Sequence, residues 1–170
     1  MIEYLEKVLR KLFIIFILYG SYTAVVADTL ATIGWIESVK ILPENFKLDA
    51  KVDTGADNSS LDVINWMSFT HNRREWIRFT TINNNGDEIT FERPLEGYSL
   101  IKQKITGALK RPVVVMRLCI GKKSILAQIN LAKRSNFKYR MLIGRSFLKG
   151  HFLVDSASRY TVQPECVFTP

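Results

Sequence analysis

The feature that most constrains this chain is a strand that runs straight into a carboxylate. Phe46, Leu48, Ala50 and Val52 alternate with Lys47, Asp49 and Lys51, and Asp53-Thr54-Gly55-Ala56 follows at once. A period of two predicts a half-buried β-strand. A carboxylate at the end of such a strand is costly unless donors meet it. Gly55 lets the backbone turn closely, so the amides of Gly55 and Ala56 can point back at Asp53, and Thr54 adds a hydroxyl. The bare tripeptide would also suit an ordinary turn.

The chain continues in the same idiom. Thr32 to Leu42 reads as a first strand or a bent pair of strands, and Pro43-Glu44-Asn45 turns it into Phe46–Val52. Leu61-Asp62-Val63 is a short strand, and Asn65 to Arg74 a polar connection holding Trp66, Met67 and Phe69. Trp76–Ile82 and Glu88–Arg93 flank Asn83-Asn84-Asn85-Gly86-Asp87. Asn-Gly between β-prone runs predicts a hairpin, which could be a flap over a groove or plain surface structure. Tyr98–Thr106 is a mixed strand. Pro112–Ile120 and Ser124–Leu131 form a second hairpin about Gly121-Lys122-Lys123, with Val113-Val114-Val115 predicted to be buried on both faces. Tyr139–Gly144 is apolar up to its glycine, a short helix can follow through Leu148, and His151–Val154 is a closing strand before Asp155-Ser156-Ala157. Strand upon strand with little helical period argues for an all-β barrel or sandwich.

The first 27 residues stand apart. Lys7, Arg10 and Lys11 precede the apolar run Leu12–Tyr19, and Val25 and Ala27 are small residues before Asp28. That order predicts a secretory signal over 1–27, cut at Ala27–Asp28, with 28–170 as the working domain. The apolar run is shorter than the roughly 20 residues of a comfortable span, and an uncleaved anchor is the alternative. A periplasmic or secreted location follows, or a membrane-anchored one if the leader is kept.

The formal net charge is +8. Spread along the chain, it suits acidic peptides, anionic lipid or nucleic acid, and the lack of any nucleic-acid-binding motif makes the last the weakest. Two cysteines and two histidines stand in no metal-ligand spacing. No metal or cofactor is expected. Cys119, inside an apolar run, is expected to pack as a small hydrophobe, and its pairing with Cys166 is left open.

Read at full length, the apolar strand, Asp53-Thr54-Gly55-Ala56-Asp57, a small polar pair and Leu61 resemble the active-site loop of retropepsin-like aspartic proteases. Met141-Leu142-Ile143-Gly144-Arg145 looks like that family's second signature, about ninety residues on and in the same order. Ile33-Gly34-Trp35-Ile36-Glu37, Trp76-Ile77-Arg78-Phe79 and Val154-Asp155 extend the similarity to the bacterial retropepsin-like endopeptidases once labelled ATP-dependent zinc proteases. One departure is Asp62, where that group is expected to carry a histidine. No Walker-type phosphate loop accompanies the old label.

The resemblance implies a closed retropepsin-like β-barrel with one short helix after Ile143-Gly144-Arg145. It implies an aspartic endopeptidase with Asp53 as the catalytic residue on a loop made by Thr54, Gly55 and Ala56. One dyad residue per chain implies a homodimer with an Asp53 from each subunit, Thr54 bonding across the two-fold axis, and an Asp57–Arg145 ion pair bracing loop and rim. In such a dyad two carboxylates share one proton, one activating a water and the other polarising the scissile carbonyl. Asp155, the other carboxylate after an apolar strand, is the candidate for a dyad within one chain. The expected partner is a peptide or protein substrate, acidic ones included, with no nucleic acid, and with membrane contact only during export or through an uncleaved leader. The rival readings are a non-catalytic peptide-binding module on the same barrel and a membrane-surface protein held by its N-terminus.

Overall fold

The computed structural model describes residues 29–103, 107–133 and 138–168, together with Glu3. The rest of the expected signal 1–27, the expected cut at Ala27–Asp28, residues 134–137 before Tyr139 and the end of the expected Tyr98–Thr106 strand lie outside the described residues.

The bent first segment forms β1 (Ala31–Gly34) and β2 (Ile36–Leu42), broken at Trp35. The alternating stretch forms β3 (Phe46–Val52), and β4 (Ser59–Asp62) returns from the Asp-Thr-Gly loop. Next come β5 (Asn65–His71), β6 (Arg74–Ile82) and β7 (Glu88–Pro94), then β8 (Gly97–Gln103), β9 (Gly107–Ile120) and β10 (Lys123–Ala132). β11 (Met141–Ile143), a one-turn helix Arg145–Leu148 and β12 (Phe152–Asp155) complete the described chain.

Six strands close a barrel in the order β10-β4-β11-β3-β2-β9, with β9 pairing back onto β10. Full closure leaves these six without an open edge. β5-β6-β7 form a separate antiparallel sheet, and β1 pairs parallel with β12. The fold class and the short helix are as the sequence implies. The core is aliphatic and aromatic: Ile33, Ile41, Leu61, Phe79, Met116, Leu118, Ile129 and Phe147 are all at most 2% exposed. Burial of side chains this size stabilises by about 1.5–3 kcal/mol each. The helix docks by stacking Phe147 on Phe152 of β12, ring centroids 5.7 Å apart, and Gly150, at φ 78°, turns the chain from helix to strand.

Two expectations are corrected, and the pairing of the cysteines, left open by the sequence, is settled. Asn65 to His71 is a strand, although it reads as a polar connection. It pairs along its whole length with β6, but nearly all its side chains are exposed, so no buried face imposes an apolar period. Val113 and Val115 are only half-buried while Val114 and Met116 are buried, so this part of β9 has one core face. Cys119 is buried as expected, yet it is bonded to Cys166 in a disulfide. That bond ties the end of the chain to the rim of β9.

Candidate active site on the Asp53 loop

The loop owes its shape to β11. This short strand enters between β3 and β4, parallel to the first with Ile143 opposite Val52 and antiparallel to the second with Leu142 opposite Ser60. Residues 53–58 must therefore bridge from β3 to β4 across the end of β11. The chain leaving β11 passes directly against that bridge at Gly144, where a Cβ would lie 2.6 Å from the carbonyl carbon of Asn58. Only glycine fits there, which explains the Ile-Gly-Arg spelling. The Gly144 N–H donates to Ser59 Oγ at 3.1 Å.

Asp53 sits where β3 runs out. Its N–H donates to the Ile143 carbonyl at 2.8 Å, continuing the β3–β11 ladder by one step. Its Oδ1 accepts the Gly55 N–H at 3.0 Å, and the Ala56 N–H turns back to its carbonyl at 3.2 Å. Among the described residues Oδ2 carries no bond. The carboxylate is thus oriented by one oxygen and left with the other to offer, half-buried at the surface of a cleft.

The helix start braces the loop from outside. Arg145 N–H donates to Ala56 O and Ser146 N–H to Asp57 O, each at 2.9 Å. The Arg145 guanidinium donates through Nη1 to Thr54 O at 2.8 Å and through Nη2 to Asp57 Oδ1. The expected Asp57–Arg145 pair is therefore present. It is not buried in the single chain, however: the side chains are 51% exposed for Arg145 and 81% for Asp57. Thr54 is exposed.

Asp155 is a different kind of group. Its Oδ1 accepts the Ala157 N–H at 2.9 Å and its Oδ2 the Ser158 hydroxyl at 2.6 Å. These bonds, the Ser158 one first, hold its carboxyl below the usual range. Both oxygens are spent on its own turn, and no bond among the described residues joins it to Asp53. Asp62, at the position expected to hold histidine, is buried in β4 and accepts from Arg140 Nη1 at 2.5 Å, so it is a paired strand residue.

Beside Asp53 lies a pocket of about 260 Å³ lined by Trp35, Tyr139 and Leu142, with Lys51 and Lys138 among its other lining residues. The Trp35 and Tyr139 rings meet edge to face, centroids 6.4 Å apart, and Lys138 Nζ stands 5.6 Å over the Tyr139 ring. Sequence reasoning did not reach this pocket, because its walls come from three separate segments. The Asn83–Asp87 turn, one candidate for a flap, leans on the flank of β3, where Asn84 Oδ1 accepts the Asp49 N–H at 3.1 Å. The β8–β9 ribbon instead runs out beyond the barrel: β9 pairs with β10 only from Val113 onward and with β8 back to Gly107.

The chain matches known proteins over this region. A solved Legionella pneumophila protein of unknown function (DUF785) superposes with a TM-score of 0.68 at 31% identity, covering 78% of this chain and 98% of that one. A probable alpha-L-glutamate ligase of Parasynechococcus marenigrum is 31% identical over 111 residues, and one of Desulfotalea psychrophila 28% over 113. Those matches cover 64% and 65% of this chain but only 24% of each relative, so the chain spans about a quarter of the length of the curated relatives it matches. Residues 32–165 match the family described as retropepsin-like aspartic endopeptidase RimB. Reaching from β1 to the residue before Cys166, and taking in both loop signatures, that match makes the chain a member of the RimB-like family of retropepsin-like aspartic endopeptidases.

Proposed function

We propose that the protein is an aspartic endopeptidase whose dyad is Asp53 of one copy and Asp53 of a second. The observation that carries this reading is an Oδ1 of Asp53 fixed by Gly55 beside an Oδ2 with no bond among the described residues. In the assembled site one carboxylate takes a proton from a water whose oxygen attacks the scissile carbonyl carbon. The other carboxyl gives its proton to the carbonyl oxygen. Collapse of the tetrahedral diol breaks the C–N bond, the proton held by the first carboxylate goes to the leaving amine, and a diol hydroxyl returns a proton to the second carboxylate as it becomes the acid's carbonyl. The water's atoms thus end in the new acid and amine.

A surface hollow of about 480 Å³ lined by Thr54, Asp57, Arg145, Leu148 and Val154 adjoins the loop and suits the contact with a second copy. Lys51 and Lys138 beside Asp53, with a basic chain overall, favour an acidic peptide. Relatives named as probable glutamate ligases make glutamate-containing peptides the first to try. The leader-like residues 1–27 and the Cys119–Cys166 disulfide support export to an oxidising compartment. One observation favours the non-catalytic alternative: the relatives carry this region as a quarter of a ligase, where a peptide-binding module would also serve.

The test is cleavage of a glutamate-rich peptide set by wild type and Asp53→Asn. Cleavage lost in the variant, unaffected by chelators and falling on dilution as dimers part, supports the proposal. Binding without cleavage by wild type favours the module. Loss of activity with EDTA and its return with zinc would overturn the aspartic mechanism.

A further inference from the structure

Trp35 owes its place beside Asp53 to the far end of the chain. It interrupts β1 and β2, and its carbonyl accepts the Val52 N–H at 2.9 Å while its own N–H donates to Ser158 O at 2.9 Å. Residues 156–166 then run as a strap from the start of β2 to the β9–β10 turn, with Val162 packed against the core. Tyr160 N–H donates to Ile36 O at 2.8 Å, and Glu165 N–H to Gly121 O at 2.8 Å before the disulfide closes the strap. The strap packs so tightly that a Cβ on Gly34 would lie 2.4 Å from Ser158 O.

The clamp of this strap is a carboxylate. Glu37 has no exposed surface, although it lies in a strand where a charge needs full compensation. Most of the compensation comes from the strap. Oε1 accepts the Gly34 N–H at 2.7 Å, the Thr161 N–H at 3.0 Å and the Thr161 hydroxyl at 2.6 Å, and Oε2 takes the Val162 N–H at 3.3 Å. Glu37 therefore joins the residue before Trp35 to the segment that holds Trp35 by its amide.

We propose that Trp35 is the specificity-determining wall of the pocket beside Asp53, and that Glu37, acting through the strap, is the residue that positions it. The kinetic half of this rests on Asp53 being catalytic; the structural half does not. Trp35→Ala should raise KM on the preferred peptide about tenfold, with kcat little changed and side-chain preference flattened. Glu37→Ala should give the same signature, and Glu37→Gln, which keeps the Oε1 acceptor, should recover most of it. Because Glu37 acts through Trp35, adding Glu37→Ala to Trp35→Ala should change KM no further. Multiplying effects in the double variant, or loss of folded protein with KM unchanged, would overturn the positioning role.

A second arm needs no activity. With Trp66→Phe and Trp76→Phe, Trp35 is the sole tryptophan of the three, and acrylamide quenching reads its exposure. Glu37→Ala should raise the quenching. So should opening Cys119–Cys166 with a dithiol, which passes two electrons and two protons to the cysteines and is itself oxidised to a disulfide. The reduction arm uses one unmodified strap and decides the matter if Glu37→Ala does not fold. Unchanged quenching on reduction would overturn the strap. Peptide added to this single-tryptophan protein carrying Asp53→Asn should shift the Trp35 emission. A shift without any cleavage by the wild-type enzyme would remove the peptidase reading and keep the wall; no shift would overturn the wall.

Discussion

Asp53 and Asp155 end apolar strands and open turns of the same make. In each the Oδ1 oxygen accepts the backbone N–H two residues on, from Gly55 at 3.0 Å and from Ala157 at 2.9 Å. They differ in the second oxygen and in what surrounds the turn. Asp155 spends Oδ2 on Ser158 at the edge of a two-stranded sheet. Asp53 has no bond to Oδ2 among the described residues, and its turn is gripped by four bonds from the helix start, two from the backbone and two from the Arg145 guanidinium. A local turn needs only the first arrangement. A carboxylate held from outside, with an oxygen in reserve, is what proton transfer to a bound water requires.

The largest expected contrast lies in catalysis. Asp53→Asn should lower peptide cleavage by about a thousandfold or more, with thermal stability near wild type because the side chains are nearly isosteric and Gly55 can still donate to the amide oxygen. Asp155→Asn should leave kcat within a few fold. Single-turnover cleavage of one reporter peptide by both variants is the measurement. Equal losses would erase the difference between the turns and return Asp155 to the dyad.

Next in size is the crossing that lifts the Asp53 turn above an ordinary one. Gly144→Ala pushes a methyl into the Asn58 backbone, and overpacking of this kind costs about 1–3 kcal/mol. Denaturant unfolding should show that loss, while Gly150→Ala, which meets nothing within 4 Å and is strained only by its φ of 78°, should lose no more than about 1 kcal/mol.

These contrasts mark what was legible. The β3 strand, the loop and the Gly-Arg signature could be read because each is local: a period of two, a turn residue, an adjacent pair. The Asp57–Arg145 contact was reached only through family resemblance, since 88 residues separate the partners. β5 was misread because its exposed faces carry no period. Glu37 left a faint signal, a lone acid within Ile36-Glu37-Ser38-Val39, but three of its four donors lie more than 120 residues away. The disulfide likewise joins residues 47 apart, and two cysteines alone predict no bond.

A smaller effect concerns the brace. In the single chain the Asp57–Arg145 pair is exposed, so a double-mutant cycle in monomer should give a coupling of about 0–1 kcal/mol. In the proposed dimer the same pair would be covered, and breaking a buried pair costs about 3–5 kcal/mol. The coupling should thus rise with protein concentration. A coupling that stays small at concentrations where activity is full would mean that the pair lies outside the contact between copies.

The smallest expected effect is on the other turn. The Ser158 hydroxyl, then the Ala157 amide, hold the Asp155 carboxyl below its ordinary value of 3.8. A carboxylate whose pKa is lower folded than unfolded adds stability at pH above its unfolded value, and that stability is lost as pH falls through the folded one. Ser158→Ala removes the larger cause. The Asp155 carboxyl, followed by carbon NMR, should then titrate at a higher pH than in wild type. The two proteins should differ slightly in melting temperature at neutral pH, and the part of that gap due to Asp155 ionisation should disappear below the folded pKa. The effect stays small because the carboxylate is at the surface, where water competes for the same oxygen. A melting-temperature gap that persists in full below the folded pKa would mean that Ser158 acts through packing of its turn and not through the Asp155 carboxylate.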